Sequence, residues 1–328
     1  MFRGIMLRQT DSGVTPALEV LAEEALPAGD VQIAVQYSSL NYKDAMPLTG
    51  KAEFVRTFPM IPGLDLAGVV ERSTAPELPV GTPVVVTGWG LGASHWGGLA
   101  EKARVPADWV VPLPEGLTPL QAMAAGTAGL AAMLCVMALE EGGLRPGDGP
   151  VLVTGAGGGV GSLAVAILSK LGHEVVASSQ RAETEGYLRS LGARAVIGRI
   201  EPVPGHLHML GEERWAGAVD VVGGPGLAGV MRQMRYGASV AVTGFAGGME
   251  FATSMLPLVG LGVSLRGVNT SRCPQERRLA AWRRLAQDLP REALAAMTQV
   301  IPLAQVIPAS HEVVGGRVQG RLVVAVTE

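Results

Sequence analysis

The stretch Val151-Leu-Val-Thr-Gly-Ala-Gly-Gly-Gly-Val-Gly-Ser162 decides the fold of this chain. Three apolar β-forming residues run into a glycine-rich turn, and the apolar run 163–168 continues beyond it as a helix that ends at Gly172. Because glycine has no Cβ, the backbone of such a turn can come very close to a bound pyrophosphate, and the N–H groups at the start of the helix then face its negative charge. A tight strand–helix connection would use the same glycines, but residues 173–179 read as the second strand of a βαβ unit and favour a nucleotide site.

The glycines stand at 155, 158 and 161, a spacing that departs from the strict G-x-G-x-x-G and is found in a subset of dinucleotide folds. This segment, 155–161, is called the glycine turn below. We predict that it binds the cofactor through six residues: Gly155, Gly157, Gly158, Gly159, Val160 and Gly161.

The end of the second strand indicates which dinucleotide binds. Sheets that bind NAD usually carry Asp or Glu there, which bonds the ribose 2′-hydroxyl. This chain has Ser178, Ser179, Gln180 and Arg181 instead. An acid would repel a 2′-phosphate, whereas two hydroxyls and a guanidinium offer it donors and positive charge. The pattern favours NADPH over NADH, although Ser179 can also cap the next helix and leave Arg181 exposed.

Composition excludes several classes of protein. The chain has 328 residues, which suits two domains, and its net charge of −3 without any Lys/Arg run leaves no electrostatic footprint for nucleic acid. No signal peptide and no uninterrupted membrane span is apparent, and Cys135 and Cys273 lie too far apart to indicate a metal or redox pair. We therefore expect a cytoplasmic protein that acts on a small molecule.

The order of patterns along the chain predicts two kinds of domain. Short β-like runs separated by turns are typical of a partly open barrel, and they occur at Phe2–Arg8, Val31–Tyr37, Gly68–Glu71, Pro83–Thr87 and Ala100–Val105. From Pro119 the pattern becomes helical, with a second helix at Gly129–Glu140, and about six strands then alternate with helices as in a doubly wound parallel sheet. A charged helix, Gln275–Gln287, and a closing strand, Arg321–Thr327, return to the first domain. The predicted domains are 1–118 with 271–328, and 119–270.

Five stretches resemble one protein family from end to end, namely Ser39–Ala45, Arg56–Gly68, His95–Gly98, Asp108–Leu117 and Gln275–Arg277 with Trp282. The chain is similar to the zinc-free medium-chain dehydrogenase/reductases of the quinone-oxidoreductase type, and most of all to their acrylyl-CoA reductase branch. The resemblance implies an α/β fold in which a Rossmann doubly wound sheet accompanies a GroES-like, partly open β-barrel catalytic domain. It also implies a homodimer that joins the sheet edges at the sixth strand, Ser264–Val268.

The activity that the resemblance implies is NADPH-dependent reduction of an activated carbon–carbon double bond, with conversion of acrylyl-CoA to propionyl-CoA as the favoured reaction. An NADPH:quinone or enone oxidoreductase is the alternative within enzymes. A nucleotide-binding protein without turnover is an alternative of another class. The chain departs from the branch at three places. Gln180 replaces a glycine, Asn269-Thr270 replaces an Asp-Ser pair, and Leu258–Leu261 replaces a Phe-Ile-Leu-Arg segment. The last departure leaves substrate choice open.

The candidate catalytic residues are Tyr42 and Asn41. A tyrosine phenol can polarise or protonate the substrate because it donates a hydrogen bond without being charged. Asn41 is expected to orient the nicotinamide carboxamide or the substrate carbonyl. As alternatives, Tyr42 packs under the cofactor and Asn41 caps the short helix that follows, with Asp44 in a structural role at the same turn.

Further contacts are carried over from the resemblance. Thr127 marks a helix start beneath the nicotinamide, and Asn269 and Thr270 follow the sixth strand, where ligands of such sheets bind. Arg321 is a candidate for a cofactor phosphate, with a solvated arginine as the alternative. Arg56 and His95 are candidate substrate residues, and a hydrogen-bonded structural histidine is the alternative for His95.

The residues also argue against a metal. In zinc-dependent relatives the loop carries Gly-His-Glu where this chain has Gly63-Leu64-Asp65, and no cysteine precedes Cys135. Leucine has no lone pair, and a catalytic zinc needs three protein ligands. The histidines show no ligand spacing, and the pair His206 and His208 is expected in a surface loop.

We therefore expect activity to survive exhaustive chelation, because Leu64 leaves the site without its histidine ligand. Metal analysis of the purified protein should find less than one zinc per chain. Loss of activity on chelation that added zinc restores would contradict a metal-free site.

Overall fold

The computed structural model describes residues 1–11, 13–201 and 210–327. Its contacts divide the chain into two compact units, and each is described by itself. Unit 1 consists of Met1–Thr127, Thr270–Ala286 and Ala295–Glu328, and unit 2 of Ala128–Asn269 and Gln287–Leu294. The domain boundaries predicted from the sequence stay a prediction.

The strands, in chain order, are β1 (Phe2–Thr10), β2 (Gly13–Leu21), β3 (Val31–Ser39), β4 (Asp65–Ser73), β5 (Pro83–Thr87), β6 (Lys102–Val105), β7 (Val111–Pro112), β8 (Val151–Val153), β9 (Val175–Ser178), β10 (Ala195–Ile197), β11 (Trp215–Asp220), β12 (Met234–Val242), β13 (Ser264–Gly267), β14 (Thr298–Pro302) and β15 (Arg321–Ala325). The helices are α1 (Tyr42–Leu48), α2 (Pro119–Glu141), α3 (Gly159–Lys170), α4 (Glu185–Ser190), α5 (Gly224–Met231), α6 (Leu256–Gly260), α7 (Gln275–Asp288), α8 (Arg291–Ala296) and α9 (Val306–Val314).

Unit 1 is built on a mixed sheet with the strand order β14-β15-β3-β4-β5-β7, in which β6 also pairs with β3. Its core consists of the inward-facing aliphatic residues of these strands, such as Ile33, Leu66 and Val324. Gly68 allows β3 and β4 to approach closely, since a Cβ there would lie 2.0 Å from the carbonyl oxygen of Ala34. The antiparallel pair β1 and β2 forms a separate ribbon.

Unit 2 is built on a parallel sheet with the strand order β10-β9-β8-β11-β12-β13. Counted along the chain this is the order 3-2-1-4-5-6 of the doubly wound dinucleotide-binding fold. The order reverses between β8 and β11, and ligands of such sheets bind outside the carboxyl ends of the strands at that point. The predicted α/β fold class is confirmed, and the glycine turn follows β8 at this reversal.

Helix α2 is the longest helix in the described part of the chain. It is long and apolar enough to cross a membrane, but 89% of its most apolar window is buried within the protein. Its helical geometry breaks at Gly126, with φ +54° and ψ −155°. This break separates the two helices that the sequence predicts from Pro119 and from Gly129.

Several elements were not predicted, namely β2, β7, α6, α8, β14 and α9. Pro308 within α9 obscures its helical signal. The short helix that was expected as an alternative after Asn41 is present, since α1 begins at Tyr42.

Candidate active site

The glycine turn in unit 2 has a shape that only glycine allows. Gly155 adopts φ +58°, and a Cβ there would lie 2.6 Å from Cγ2 of Val221. A Cβ on Gly161 would lie 2.4 Å from the carbonyl oxygen of Gly155. Helix α3 begins at Gly159 with Gly158 as its N-cap. Its first N–H groups have no acceptor within the helix, so they are available to an anion at its start.

Arg181 lies directly beside this turn, because its Nη2 donates a hydrogen bond to the carbonyl oxygen of Gly157 at 3.0 Å. The Ser179 hydroxyl accepts from the Arg181 backbone N–H at 3.2 Å and lies 2.9 Å from Oγ1 of Thr184. Ser179 thus organises the backbone that carries Arg181. Ser178 differs, since it is buried and its hydroxyl donates to the carbonyl oxygen of Gly198 at 2.9 Å. The structure gives Ser178 a role within unit 2 in place of the predicted contact with a phosphate.

A groove of about 490 Å³ lies at the same strand end and is lined by Ser179, Gln180, Gly198, Arg199 and Glu201. A turn that excludes Cβ atoms, a helix start and a guanidinium therefore meet at the carboxyl end of β8 and β9. These residues fit the pyrophosphate and adenosine parts of a dinucleotide. Arg199 is a charged residue of this groove that was not predicted from the sequence.

In unit 1, Asn41 and Tyr42 lie at the start of α1. Tyr42 is 56% exposed, so its phenol is accessible. Asn41 precedes the helix, and its backbone N–H donates to Oδ2 of Asp44 at 2.9 Å. Its side-chain amide donates to Oδ2 of Asp65 at 2.9 Å and accepts from Nη1 of Arg321 at 3.1 Å. The structure thus places Asn41 as the cap of α1, which is the alternative to a direct contact with a ligand.

Asp65 is the centre of a buried group that sequence reasoning missed. The carboxylate cluster consists of Ser39, Asn41, Asp44, Asp65, Thr127 and Arg321. Asp65 is fully buried, and its Oδ2 accepts hydrogen bonds from Ser39 Oγ at 2.5 Å, Asn41 Nδ2 at 2.9 Å and the Thr127 N–H at 2.9 Å. Its Oδ1 accepts from the Thr127 hydroxyl. A lone acid inside the otherwise apolar run 60–68 was the available signal, because buried carboxylates are almost always paired.

Asp44 is the second buried carboxylate of the cluster. Its Oδ1 accepts from the Leu64 N–H at 2.8 Å. Burial, followed by the nearby charge of Asp65, raises the pKa of Asp44 to about 7, and the N–H groups of Asn41 and Leu64 oppose that rise. The structural role predicted for Asp44 agrees with these bonds.

Arg321 is only 4% exposed, so the alternative of a solvated arginine is wrong. Its Nε donates to the carbonyl oxygen of Ala124 at 2.8 Å, and its Nη1 bonds Asn41. Burial lowers the pKa of Arg321, whereas the charges of Asp65 and Asp44 act to raise it. The guanidinium is part of the carboxylate cluster. From the sequence, it was instead a candidate for a cofactor phosphate.

The other predicted residues are placed as follows. Arg56 has an exposed side chain, and its backbone N–H bonds the carbonyl oxygen of Ala93 at 2.7 Å. Nε2 of His95 lies 2.8 Å from the carbonyl oxygen of Arg104, which is the structural alternative for this residue. In unit 1, the Thr270 carbonyl accepts from Arg278, a buried arginine.

Asn269 follows β13 in unit 2. Within the described ranges, no group of three or more His, Cys, Asp or Glu is arranged to hold a metal ion. The pair His206 and His208 lies outside the described residues.

Comparison with known proteins agrees with this geometry. Residues 27–115 match the alcohol dehydrogenase GroES-like domain, and residues 159–287 match the family described as zinc-binding dehydrogenase. The chain is 48% identical over 324 residues to the probable acrylyl-CoA reductase AcuI of Escherichia coli, with 99% of each chain covered. It belongs to the medium-chain dehydrogenase/reductase family.

Other members of this family share the whole fold. The chain is 41% identical over 325 residues to the putative quinone oxidoreductase YhfP of Bacillus subtilis, covering 99% of this chain and 98% of YhfP. The crystal structure of the YhdH oxidoreductase from Salmonella enterica in complex with NADP has a TM-score of 0.96 at 48% identity, covering 99% of this chain and 100% of the other. That of YhfP with NAD bound has a TM-score of 0.95 at 41% identity, with 99% of each chain covered.

The family assignment confirms the resemblance to this branch and the pairing of a GroES-like domain with a Rossmann sheet. The matched family is described as zinc-binding, but the loop position that bears a histidine in its zinc-dependent members is Leu64 in this medium-chain dehydrogenase/reductase. The Leu64 N–H instead bonds Asp44. Leu64 thus takes part in the hydrogen bonding of the carboxylate cluster through its backbone.

Proposed function

We propose that the protein is an NADPH-dependent reductase that converts acrylyl-CoA to propionyl-CoA. The observation that carries this proposal is the 48% identity to AcuI over practically the whole of both chains. The absence of an acid at the end of β9 and the position of Arg181 beside the glycine turn support NADPH as the cofactor.

The glycine turn and the α3 N-terminus would hold the pyrophosphate, and Arg181 with Ser179 would hold the 2′-phosphate. When bound, NADPH supplies a hydride to the β-carbon of the substrate double bond. Thr127, Asn269 and Thr270 remain proposed contacts of the nicotinamide half, with the Thr127 hydroxyl already donated to Asp65. A proton then has to reach the α-carbon to complete the saturated thioester.

Tyr42 is the proposed donor to the substrate. Its exposed phenol can donate a hydrogen bond to the thioester carbonyl while negative charge develops on that oxygen. Asn41 acts beside it by fixing the start of α1, since both ends of its amide are engaged within the carboxylate cluster.

Reduction of quinones or enones is the second candidate, and the name of YhfP is the observation that favours it. A CoA ester needs cations for its phosphates, and the basic residues of unit 1 include Lys51, Arg56 and Lys102. Lys102 is engaged by Glu23 at 3.0 Å and Glu71 at 2.7 Å, so it is not available for a phosphate. Lys51 and Arg56 are exposed and remain candidates for the CoA phosphates.

We also propose a homodimer in the cytoplasm. Strand β13 has β12 as its partner in the described sheet, and its other edge is open to pairing. Leu265 in this strand is 39% exposed, and Met255 and Val259 of the same unit are 66% and 75% exposed. An open strand that carries an exposed leucine, in a unit with further exposed apolar side chains, supports an interface between two copies at this edge.

The substrate proposal predicts that NADPH oxidation is fastest with acrylyl-CoA, slower with crotonyl-CoA and slowest with simple quinones. The thioester carbonyl activates the double bond, and the CoA phosphates add binding free energy that a quinone lacks. Steady-state kcat/KM for the three substrates provides the measurement. Faster turnover of quinones would favour the second candidate, and NADPH binding without turnover of any of the three would favour a binding protein.

For the cofactor, we expect Arg181→Ala to weaken NADPH binding and to leave NADH binding unchanged. Loss of charge-assisted hydrogen bonds to the 2′-phosphate should cost about 1.5–3 kcal/mol, or roughly ten- to a hundredfold in affinity. Arg189→Ala is a matched control, because Arg189 is an exposed arginine of α4 that pairs with Glu185. Equal kcat/KM for both cofactors in the unmodified protein would show that Arg181 does not select NADPH.

For the proton donor, we expect Tyr42→Phe to lower kcat for acrylyl-CoA by ~10²-fold or more, the lower range for a positioned acid. NADPH affinity should change little, since the phenol is not assigned to the cofactor. Tyr236→Phe removes the hydroxyl of a 77% exposed tyrosine of unit 2 and should leave kcat unchanged. If Tyr42→Phe keeps nearly full kcat, an ordered water or the cofactor ribose delivers the proton and Tyr42 only packs.

A further inference from the structure

Asp65 connects three segments that are distant in the sequence. Its carboxylate accepts from Ser39 at the end of β3, from Asn41 ahead of α1, and from Thr127 in α2. All four of these residues belong to unit 1. With at least four donors on two oxygens, the carboxylate is satisfied by hydrogen bonds in one geometry.

The break in α2 is built around the same carboxylate. Because Gly126 leaves helical geometry, the Ala124 carbonyl before it and the Thr127 N–H after it need other partners. Arg321 Nε donates to the Ala124 carbonyl at 2.8 Å, and Asp65 accepts from the Thr127 N–H. Each charge is therefore at the helix end whose partial charge it complements. A Cβ on Gly126 would lie 2.7 Å from Oδ2 of Asp65, so the helix backbone itself closes over the carboxylate.

The charged members of the carboxylate cluster are expensive to bury. Asp44, Asp65 and Arg321 are each at most 4% exposed, and desolvation of such charges costs free energy that an apolar cluster would avoid. The cluster is therefore poorly explained by stability alone. What it does provide is a fixed backbone at the start of α1, where the side chain of Tyr42 is more than half exposed.

We propose that Asp65 is a positioning residue for the reaction, which holds Asn41 and thereby sets the position of Tyr42. Asp65 contacts the side chain of Asn41 directly. It acts on Tyr42 through the backbone, because Tyr42 follows Asn41 in the chain. The inference rests on the proposed function for the role of Tyr42. It goes beyond that function because it assigns the orientation of the proton donor to a buried carboxylate where zinc-dependent relatives have a glutamate.

Asp65→Asn is the test, because it keeps the size of the side chain but turns one acceptor into a donor that faces other donors. We expect kcat for acrylyl-CoA to fall roughly ten- to a hundredfold, since displacement of a catalytic group by about 1 Å can cost a hundredfold. The dissociation constant for NADPH should change much less than kcat, because the glycine turn and Arg181 belong to unit 2 and Thr127 is the one proposed cofactor contact that bonds Asp65.

A double-mutant cycle with Tyr42→Phe shows whether Asp65 acts through the tyrosine. If it does, adding Asp65→Asn to Tyr42→Phe should cost no more than about threefold in kcat, because the group being positioned is already gone. Full additivity of the two losses would overturn the proposal. So would a kcat of the Asp65→Asn protein within twofold of the unmodified protein.

Gln32→Leu is the control for general destabilisation. Gln32 is 2% exposed in β3, and its side chain bonds Glu23, Glu71 and Arg104, so the variant disturbs a buried polar network in the same unit. It should lower the melting temperature and leave kcat per folded molecule unchanged. If Gln32→Leu lowers kcat as much as Asp65→Asn at a comparable melting temperature, the effect of Asp65 is merely structural and the proposal is wrong.

Hydrogen exchange gives a readout that does not depend on the substrate. Asp65→Asn should speed exchange of the amides of 41–48 and of Thr127, while those of the glycine turn stay as in the unmodified protein. Unchanged amide protection at 41–48 would overturn the positioning role, whether or not the protein turns over a tested substrate. Absence of turnover with every tested substrate would by itself refute only the proposed function.

Ser39→Ala is the milder variant if Asp65→Asn does not fold. It removes one donor to Asp65 and leaves the carboxylate in place. The same combination with Tyr42→Phe applies, and a several-fold fall in kcat that disappears in the Tyr42→Phe background supports the proposal. A fall that persists in that background contradicts it.

Discussion

The buried carboxylate of Asp65 is the constraint on which the candidate site in unit 1 depends. One oxygen pair ties together the end of β3, the N-terminus of α1 and the break of α2. None of these connections is available from local secondary structure, because α1 has seven residues and a helix of that length is not stable alone. Tertiary hydrogen bonds to Asn41 therefore decide where α1 begins, and with it where the phenol of Tyr42 lies.

In unit 2 the constraint is steric. A Cβ at Gly155 or Gly161 would collide with Val221 or with the turn itself, so the turn exists only because these positions are glycine. The same compactness leaves backbone N–H groups at the start of α3 for an anion. Arg181 donates to the Gly157 carbonyl, and in the proposed function its charge distinguishes a 2′-phosphate from a hydroxyl. Under that proposal, affinity for the dinucleotide and choice between its two forms come from different groups of the same site.

The sequence predicted what depends on local pattern and missed what depends on distant contacts. The bounds of β5 agree with prediction, because a short apolar run between turn residues defines this strand. The two-part helix α2 was also anticipated on either side of Gly126. The hydrogen bonds of Asp65 were not predicted, because its partners lie 24 to 62 residues away in the sequence. The burial of Arg321 was not predicted, because it depends on contacts with the distant residues Ala124 and Asn41. Tertiary packing decides which carboxylate is buried, and the hydrophobic periodicity of the sequence does not show it.

The charge of the carboxylate cluster explains how it can be buried without a metal. Two carboxylates and one guanidinium carry a net charge of −1 when all three are ionised. Burial and the neighbouring Asp65 raise the pKa of Asp44 to about 7, so a proton on Asp44 brings the cluster to neutrality near physiological pH. The N–H groups of Asn41 and Leu64 stabilise the ionised form and limit that rise. In this cluster, Arg321 together with the protonation of Asp44 provides the compensating charge.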